Sequence, residues 1–257
     1  MVAFLLALLL AQAETIFFPS GPLRIEAYQY RPPGSGPFPA LVYNHGSRIG
    51  FEREERRFPW IADAFVPAGY VVLVVERRGY GRSDGETFAD EVGRERGAKF
   101  AARLEAEADD VGAAVDYLRR QPFVDAKRVA MLGWSFGGIL TVITCSRRGD
   151  VAAAVDQATG ALSWKGSPAL QRLLRDAAAK VHVPLLTMVA ANDATTEAAR
   201  TIDAAIPVPT EHRLIVYPPF HPKDPRGVAE GHLVFSGEGI AIWKDDALAW
   251  IGRHLGL

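Results

Sequence analysis

Among 257 residues there is one cysteine, Cys145. A single thiol can form neither an intrachain disulfide nor a cysteine-based zinc site. It falls in the apolar run "ILTVITC" at 139–145 and is read as a buried, unreactive group. An excess of charge of one sign is also missing: 29 Lys and Arg stand against 30 Asp and Glu, a net charge of −1. The densest charged run, "EREERRF" at 52–58, mixes both signs and reads as the solvated start of a helix. Without a basic block no nucleic-acid partner is expected. The apolar stretch at 2–10 is short of the roughly 20 residues that a spanning helix needs, so no stable membrane span is expected. Repeats, low-complexity linkers and clustered metal ligands are absent, and "NHGSRIGFE" lacks the G-x-G-x-x-G of a nucleotide-binding turn. No cofactor or metal is expected.

What is present begins with "MVAFLLALLLAQA". Small residues at Ala11 and Ala13 follow the apolar run, as in a secretory signal peptide cleaved after Ala13, although no Lys or Arg precedes it. Residues 1–13 are therefore expected to be a signal peptide and 14–257 the folded domain, secreted or periplasmic.

A chain of this length can bury a core without cross-links. "LRIEAYQY" at 23–30 alternates apolar and polar residues, as a half-exposed antiparallel strand does, and "RPPGSGPFP" at 31–39 reads as a loop. Continuous apolar runs then follow at 40–46, 70–79, 128–135, 151–160, 183–193 and 212–220. Such runs suit strands buried on both faces of a parallel sheet. Amphipathic helical stretches lie between them, at 104–120, 196–206 and 240–255. The alternation predicts one α/β domain, a doubly wound and mostly parallel sheet with helices on both faces. Chemistry in such sheets belongs beyond the carboxyl ends of the strands.

"GWSFGG" at 133–138 lies where the strand "RVAMLG" gives way to a helix. Glycines at 133 and 137 remove the Cβ atoms that would clash in a sharp strand-to-helix turn, and Ser135 is held up as a candidate nucleophile. Serine needs a base, oriented by a carboxylate. In this arrangement the chain order is Ser, then Asp or Glu, then His. Asp193, closing the apolar run "VPLLTMVAAND", is the favoured acid, with Asp156 and Asp203 as rivals. For the base, His212 begins a strand at the wrong end of the sheet, and His254 lies in the last helical turn. His232 in "AEGHLVF" is favoured, with His221 in "PPFHPKDP" second. The backbone N–H groups of Phe136 and Ser47 are the expected oxyanion donors. His45 is read as a buttress of the loop after its strand.

"NHGSR", "VERRGYGRSDG", "EADDVGAAVDYL", "GWSFGG", "AAND" and "GHLVF", in that order, resemble the α/β-hydrolase superfamily, nearest its dienelactone hydrolase-like and prolyl-oligopeptidase-like branch. The resemblance covers roughly residues 20–256 and implies the fold, Ser135 as nucleophile, Asp193 as acid, His232 as base, and Ser47 with Phe136 as oxyanion donors. It does not imply a substrate: dienelactone hydrolases proper carry cysteine where this chain has Ser135, and no residues here could build the propeller of the peptidase relatives. Arg77, Arg78 and Arg82 are read as loop anchors paired with acidic side chains. Residues 161–182 leave room for a minimal lid, so an open site is expected, covered at most by Trp164 and the loop 86–103, with Trp134 as a substrate-binding wall. The expected reaction is hydrolysis of small or medium soluble esters. A small-peptide or acyl-amide peptidase, a non-catalytic binding protein and a cofactor-free perhydrolase are the rivals.

Overall fold

The computed structural model describes residues 13–225 and 227–257. The expected signal peptide, except Ala13, lies outside the described residues. Among these residues eight strands form one sheet: β1 (Glu14–Ser20), β2 (Leu23–Tyr30), β3 (Phe38–Asn44), β4 (Val71–Glu76), β5 (Val124–Trp134), β6 (Ala153–Gln157), β7 (Leu185–Ala190) and β8 (His212–Tyr217). Seven helices among the same residues are interleaved: α1 (Pro59–Phe65), α2 (Phe88–Glu91), α3 (Ala98–Arg119), α4 (Phe136–Arg147), α5 (Pro168–Ala178), α6 (Glu197–Ala205) and α7 (Ile240–Leu255). The strand order is β1-β2-β4-β3-β5-β6-β7-β8. The β1–β2 and β2–β4 pairs are antiparallel, and all later neighbours are parallel. This is an α/β-hydrolase fold.

The apolar runs of β3 to β7 are continuous because each of these strands feeds two cores, whereas β8, whose run also read as buried on both faces, lies at the sheet edge with only Tyr217 buried. Val42, Leu73, Met131 and Ala154 pack under α3, α4, α5 and α6. Their neighbours Leu41, Val72, Leu132 and Val155 pack under α1 and α7. Alternate side chains of a strand point to opposite faces, so a strand covered on both sides needs apolar residues at every position. Among the described residues no helix is long and apolar enough to cross a membrane.

Three local expectations are corrected. β2 is not half-exposed: six of its eight residues are buried. Its polar positions hold the turn after β4, with Glu26 accepting from the Arg82 backbone N–H and Nε (2.7 and 2.8 Å) and the Glu26 N–H donating to Ser83 Oγ (2.8 Å). The loop after β2 ends before Phe38, and Phe38-Pro39 open β3 at a point where its register with β5 shifts. The run 52–58 is not a helix start. Glu52 is buried and accepts from the N–H groups of Gly50 (2.7 Å) and Ala89 (3.1 Å). α1 begins only at Pro59, after Phe58 at φ 48°. A charge run read locally looks solvated, but here its partners lie elsewhere in the chain. β1, which no apolar run announced, closes the edge of the sheet beside β2.

Candidate active site

Ser135 links β5 to α4 with φ 58° and ψ −113°. A non-glycine residue in that region is strained and persists only where its surroundings fix it. Here they are fixed by close approach. A Cβ on Gly137 would lie 1.9 Å from the Asn44 carbonyl oxygen, and one on Gly133 would lie 2.2 Å from the Gly137 carbonyl oxygen. The Ser135 N–H donates to the Gln157 carbonyl (2.7 Å), tying the turn to β6. The first N–H groups of α4 point out at this end, with the positive end of its dipole behind them.

The His232 ring stands over the serine, with Nε2 2.8 Å from Ser135 Oγ. Its Nδ1 lies 3.0 and 3.1 Å from the two Asp193 carboxyl oxygens. A carboxylate only accepts, so Nδ1 carries the proton and Nε2 is left to accept from the serine hydroxyl. His232 is almost fully buried. It sits in a 3-10 turn, Glu230–Phe235, between β8 and α7. Its position is set by Gly231, Asn192 and Trp134, of which sequence reasoning did not single out Asn192. A Cβ on Gly231 would strike the Asn192 side chain and the Asp193 N–H, so only glycine lets the two loops touch. Asn192 clasps Phe220 through both its amide atoms (2.8 and 2.9 Å). Trp134 Nε1 donates to the His232 carbonyl (3.2 Å). The signal for Asn192 was its place beside Asp193 at a strand end.

The alternatives lie elsewhere. His221 is exposed and paired with Glu230. His212 opens β8 near Asp203, and His254 stacks edgewise on Trp250 near Glu211. Asp156 is wholly buried at the end of β6, where burial pushes its carboxyl up to about 7. His45 is wholly buried as well, stacked on Phe58 at 5.3 Å and edge-on to Tyr80 at 4.8 Å. Burial, with Arg77 and Arg48 nearby, holds its pKa well below the usual imidazole value, and its Nδ1 meets the Gly46 carbonyl (2.6 Å). It is a neutral wedge under the loop. A Cβ on Gly46 would meet Ser135 Cβ at 3.3 Å, so this loop lies flat against the serine and brings Ser47 to the site. The Phe136 ring turns away, into an aromatic group with Phe88 and Phe100. Arg77, Arg78 and Arg82 pair with Glu107, Asp110 and Glu26. The Cys145 thiol is buried, and burial pushes its pKa up.

Ser135 and His232 open into a cavity of about 500 Å³. Its wall is drawn largely from the segment 46–60, with Phe58, Trp60 and, from β5, Trp134 as aromatic surfaces. Phe51, Leu162 and Val228 stand at it with partly exposed side chains. The expected cover is corrected: Trp164 is buried in the α3–α6 core, and Phe88 and Phe100 of the loop 86–103 pack there too. A groove of about 490 Å³ between Pro19–Gly21 and α3 and α4 shares no lining residue with this cavity and contains none of Ser135, His232 and Asp193. Among the described residues no group of three or more His, Cys, Asp or Glu side chains could hold a metal ion.

Comparison with known proteins adds the family. The model for the X-Pro dipeptidyl-peptidase family (S15) matches residues 20–211, a segment that includes Ser135 and Asp193 and ends before His232. The chain is 30% identical over 140 residues to the quorum-quenching protein AidA of Acinetobacter baumannii, covering 54% of this chain and 41% of that one. It is 31% identical over 128 residues to "Probable dipeptidyl-aminopeptidase B" of Fusarium vanettenii, covering 48% of this chain and 13% of that one. The chain thus spans less than half the length of these curated relatives. Among solved structures, a dienelactone hydrolase from Anabaena variabilis superposes with a TM-score of 0.69 at 19% identity, over 95% of this chain and 98% of that one.

Proposed function

We propose a function from one premise: the chain belongs to the X-Pro dipeptidyl-peptidase (S15) family, of the α/β-hydrolase superfamily. It is a hydrolase, and our finer reading is a carboxylic ester hydrolase that works through an acyl-enzyme on small or medium soluble esters. The observation that carries this is the hydrogen-bonded chain from Ser135 through His232 to Asp193, opening into a cavity with aromatic walls.

In this reading His232 Nε2 takes the hydroxyl proton as Ser135 Oγ attacks the ester carbonyl. The N–H groups of Phe136 and Ser47 hold the resulting oxyanion, and Asp193 steadies the imidazolium. The imidazolium returns its proton to the leaving alcohol. Water, deprotonated by the same nitrogen, then cleaves the acyl-enzyme and restores the serine. Trp134 walls the cavity and holds the His232 backbone.

A peptidase reading is favoured by the family match itself. An aminopeptidase, however, must receive a substrate ammonium. The carboxylate on the cavity wall, Glu55, is already paired with Arg57, as Arg48 is with Glu76 and Arg56 with Glu54. A wall whose carboxylate is already engaged disfavours a free amino terminus and supports the ester reading. Export is part of the proposal: cleavage after Ala13 would leave β1, which starts at Glu14, whole.

The test is Ser135→Ala assayed on p-nitrophenyl acetate and on an X-Pro p-nitroanilide. Turnover of the ester should fall by roughly 10⁴–10⁶-fold, as for loss of a triad serine. Wild-type cleavage of the anilide in preference to the ester would replace this reading with the peptidase one.

A further inference from the structure

The proposed oxyanion donor at Ser47 lies on a stretch, 45–48, with no regular structure. An oxyanion donor is useful only if it is held in place before the charge develops, since moving it during the reaction would consume the stabilisation it provides. What holds Ser47 is therefore a mechanistic question. On its amino-terminal side Gly46 lies flat against Ser135, wedged by the buried His45 ring. On its carboxyl-terminal side is Arg48, whose side chain is one-tenth exposed.

Arg48 reaches three separate segments. Its Nη2 pairs with the Glu76 carboxylate at the end of β4. Its Nη1 donates to the Glu54 carbonyl (3.0 Å) and Nη2 to the Glu52 carbonyl (3.4 Å), both in the segment 46–60 that carries the cavity wall. The guanidinium lies over the Tyr80 ring at 5.1 Å. A planar fork with five donors can make these contacts together, which an ammonium cannot. The anchor is itself rigid: Glu76 is wholly buried in the sheet, with Nε2 of the neutral His45 ring 3.9 Å from it.

We propose that Arg48, clamped by Glu76, is a positioning residue that holds the Ser47 N–H and the adjoining cavity wall in the geometry needed for the transition state. The proposal rests on the acyl-enzyme reading. Arg48 touches no reacting atom. It fixes its neighbour's backbone from outside. Burial pushes the Glu76 carboxyl up to about 7, with Arg48 opposing the rise and Glu26 of the adjacent strand adding to it. A variant lacking Arg48 can therefore shed the buried charge by taking up a proton, and should still fold.

The experiment compares wild type, Arg48→Met, Arg48→Lys, Glu76→Gln and Ser135→Ala. Each is measured for kcat and KM on p-nitrophenyl acetate, for the rate of Ser135 labelling by a fluorophosphonate, and for Tm. Labelling builds a tetrahedral adduct at Ser135 and needs no knowledge of the natural substrate. Deleting one oxyanion donor outright costs about 10²–10³ in kcat, so misplacing it should cost roughly 10–100-fold. We expect that loss in kcat and in labelling for Arg48→Met, with KM within about threefold of wild type. Glu76→Gln should show a smaller loss of the same kind, and Arg48→Lys a partial recovery. Unchanged kcat and labelling in Arg48→Met would overturn the proposal. So would losses that follow Tm alone, with Lys no better than Met. If wild-type activity survives in Ser135→Ala, the acyl-enzyme reading fails instead, and that outcome is distinct.

Discussion

A Cβ on Gly137 would fall 1.9 Å from the Asn44 carbonyl oxygen, whereas one on Gly50 would meet nothing within 4 Å. These glycines belong to the two regions that make the site. Around Ser135, backbone packs on backbone: β3, β5 and α4 approach so closely that side-chain atoms are excluded at 133 and 137. In the wall at 46–60, side chains span the gaps, through Arg48 to Glu76, Arg53 to the Gly81, Ser83 and Gly85 carbonyls, and Tyr30 to the Arg57 carbonyl. The first region can hold a strained serine because nothing there can give. The second can change its lining without disturbing the sheet.

The contrast is broken most directly at Gly137. Gly137→Ala sets a methyl group against backbone, which cannot rotate away, so at least one strand must shift. Losses above about 4 kcal/mol are expected only from defects of this kind. We expect Gly137→Ala to exceed that or to fail to fold, measured by urea denaturation, while Gly50→Ala, strained only by its φ of 86°, costs about 1–2 kcal/mol. Equal costs would mean that the turn is no more constrained than the wall.

Asp156 sharpens the comparison, because it pairs in register with Gly133 on the rigid side. Its carboxyl is wholly buried, and the Thr187 and Thr159 hydroxyls beside it offset only part of the desolvation that lifts it to about 7. A carboxyl with a raised pKa keeps its proton in the folded state where the unfolded chain has lost it. Stability should therefore fall as pH rises from about 4 to about 7 and level off above. Asp156→Asn removes that dependence. We expect the variant to be more stable than wild type at pH 8, by on the order of 2–4 kcal/mol, and to show a flatter Tm between pH 4 and 7. A variant with the wild-type pH slope would show that another group carries it.

The same division decides what could be read from the sequence. Strands buried on both faces must be apolar throughout, so β3 to β7 stood out as runs, and the turn at Ser135 announced itself through glycines that packing demands. Asp193 and His232 were legible because strand ends and chain order restrict the choice, and the structure brings both to Ser135. The wall was not legible. Glu52 reads as solvated until Gly50 and Ala89 are seen to donate to it, and Trp164 reads as a cover until the α3–α6 core is seen around it. β2 was misjudged for the same reason, since its alternating polar residues serve a turn more than fifty positions away. Contacts of irregular segments depend on distant partners and leave no period in the sequence.

The smallest effect on stability, and the most selective on activity, is expected at the rim. Leu162 is 46% and Phe51 59% exposed, so neither supports the core. Leu162→Ser should change unfolding free energy by no more than about 0.5 kcal/mol, as surface substitutions do. Its effect on substrates should depend on their size. An acetyl ester is too small to fill a cavity of about 500 Å³ and should be hydrolysed at the wild-type rate. An octanoyl or phenylacetyl ester that gains burial against Leu162 loses about 1–2 kcal/mol of it, or roughly 5–30-fold in kcat/KM. Equal loss on short and long esters would mean that Leu162 acts on the reacting centre rather than on the wall. A large drop in stability would mean that the wall is built into the core after all, and the distinction between the two regions would fail.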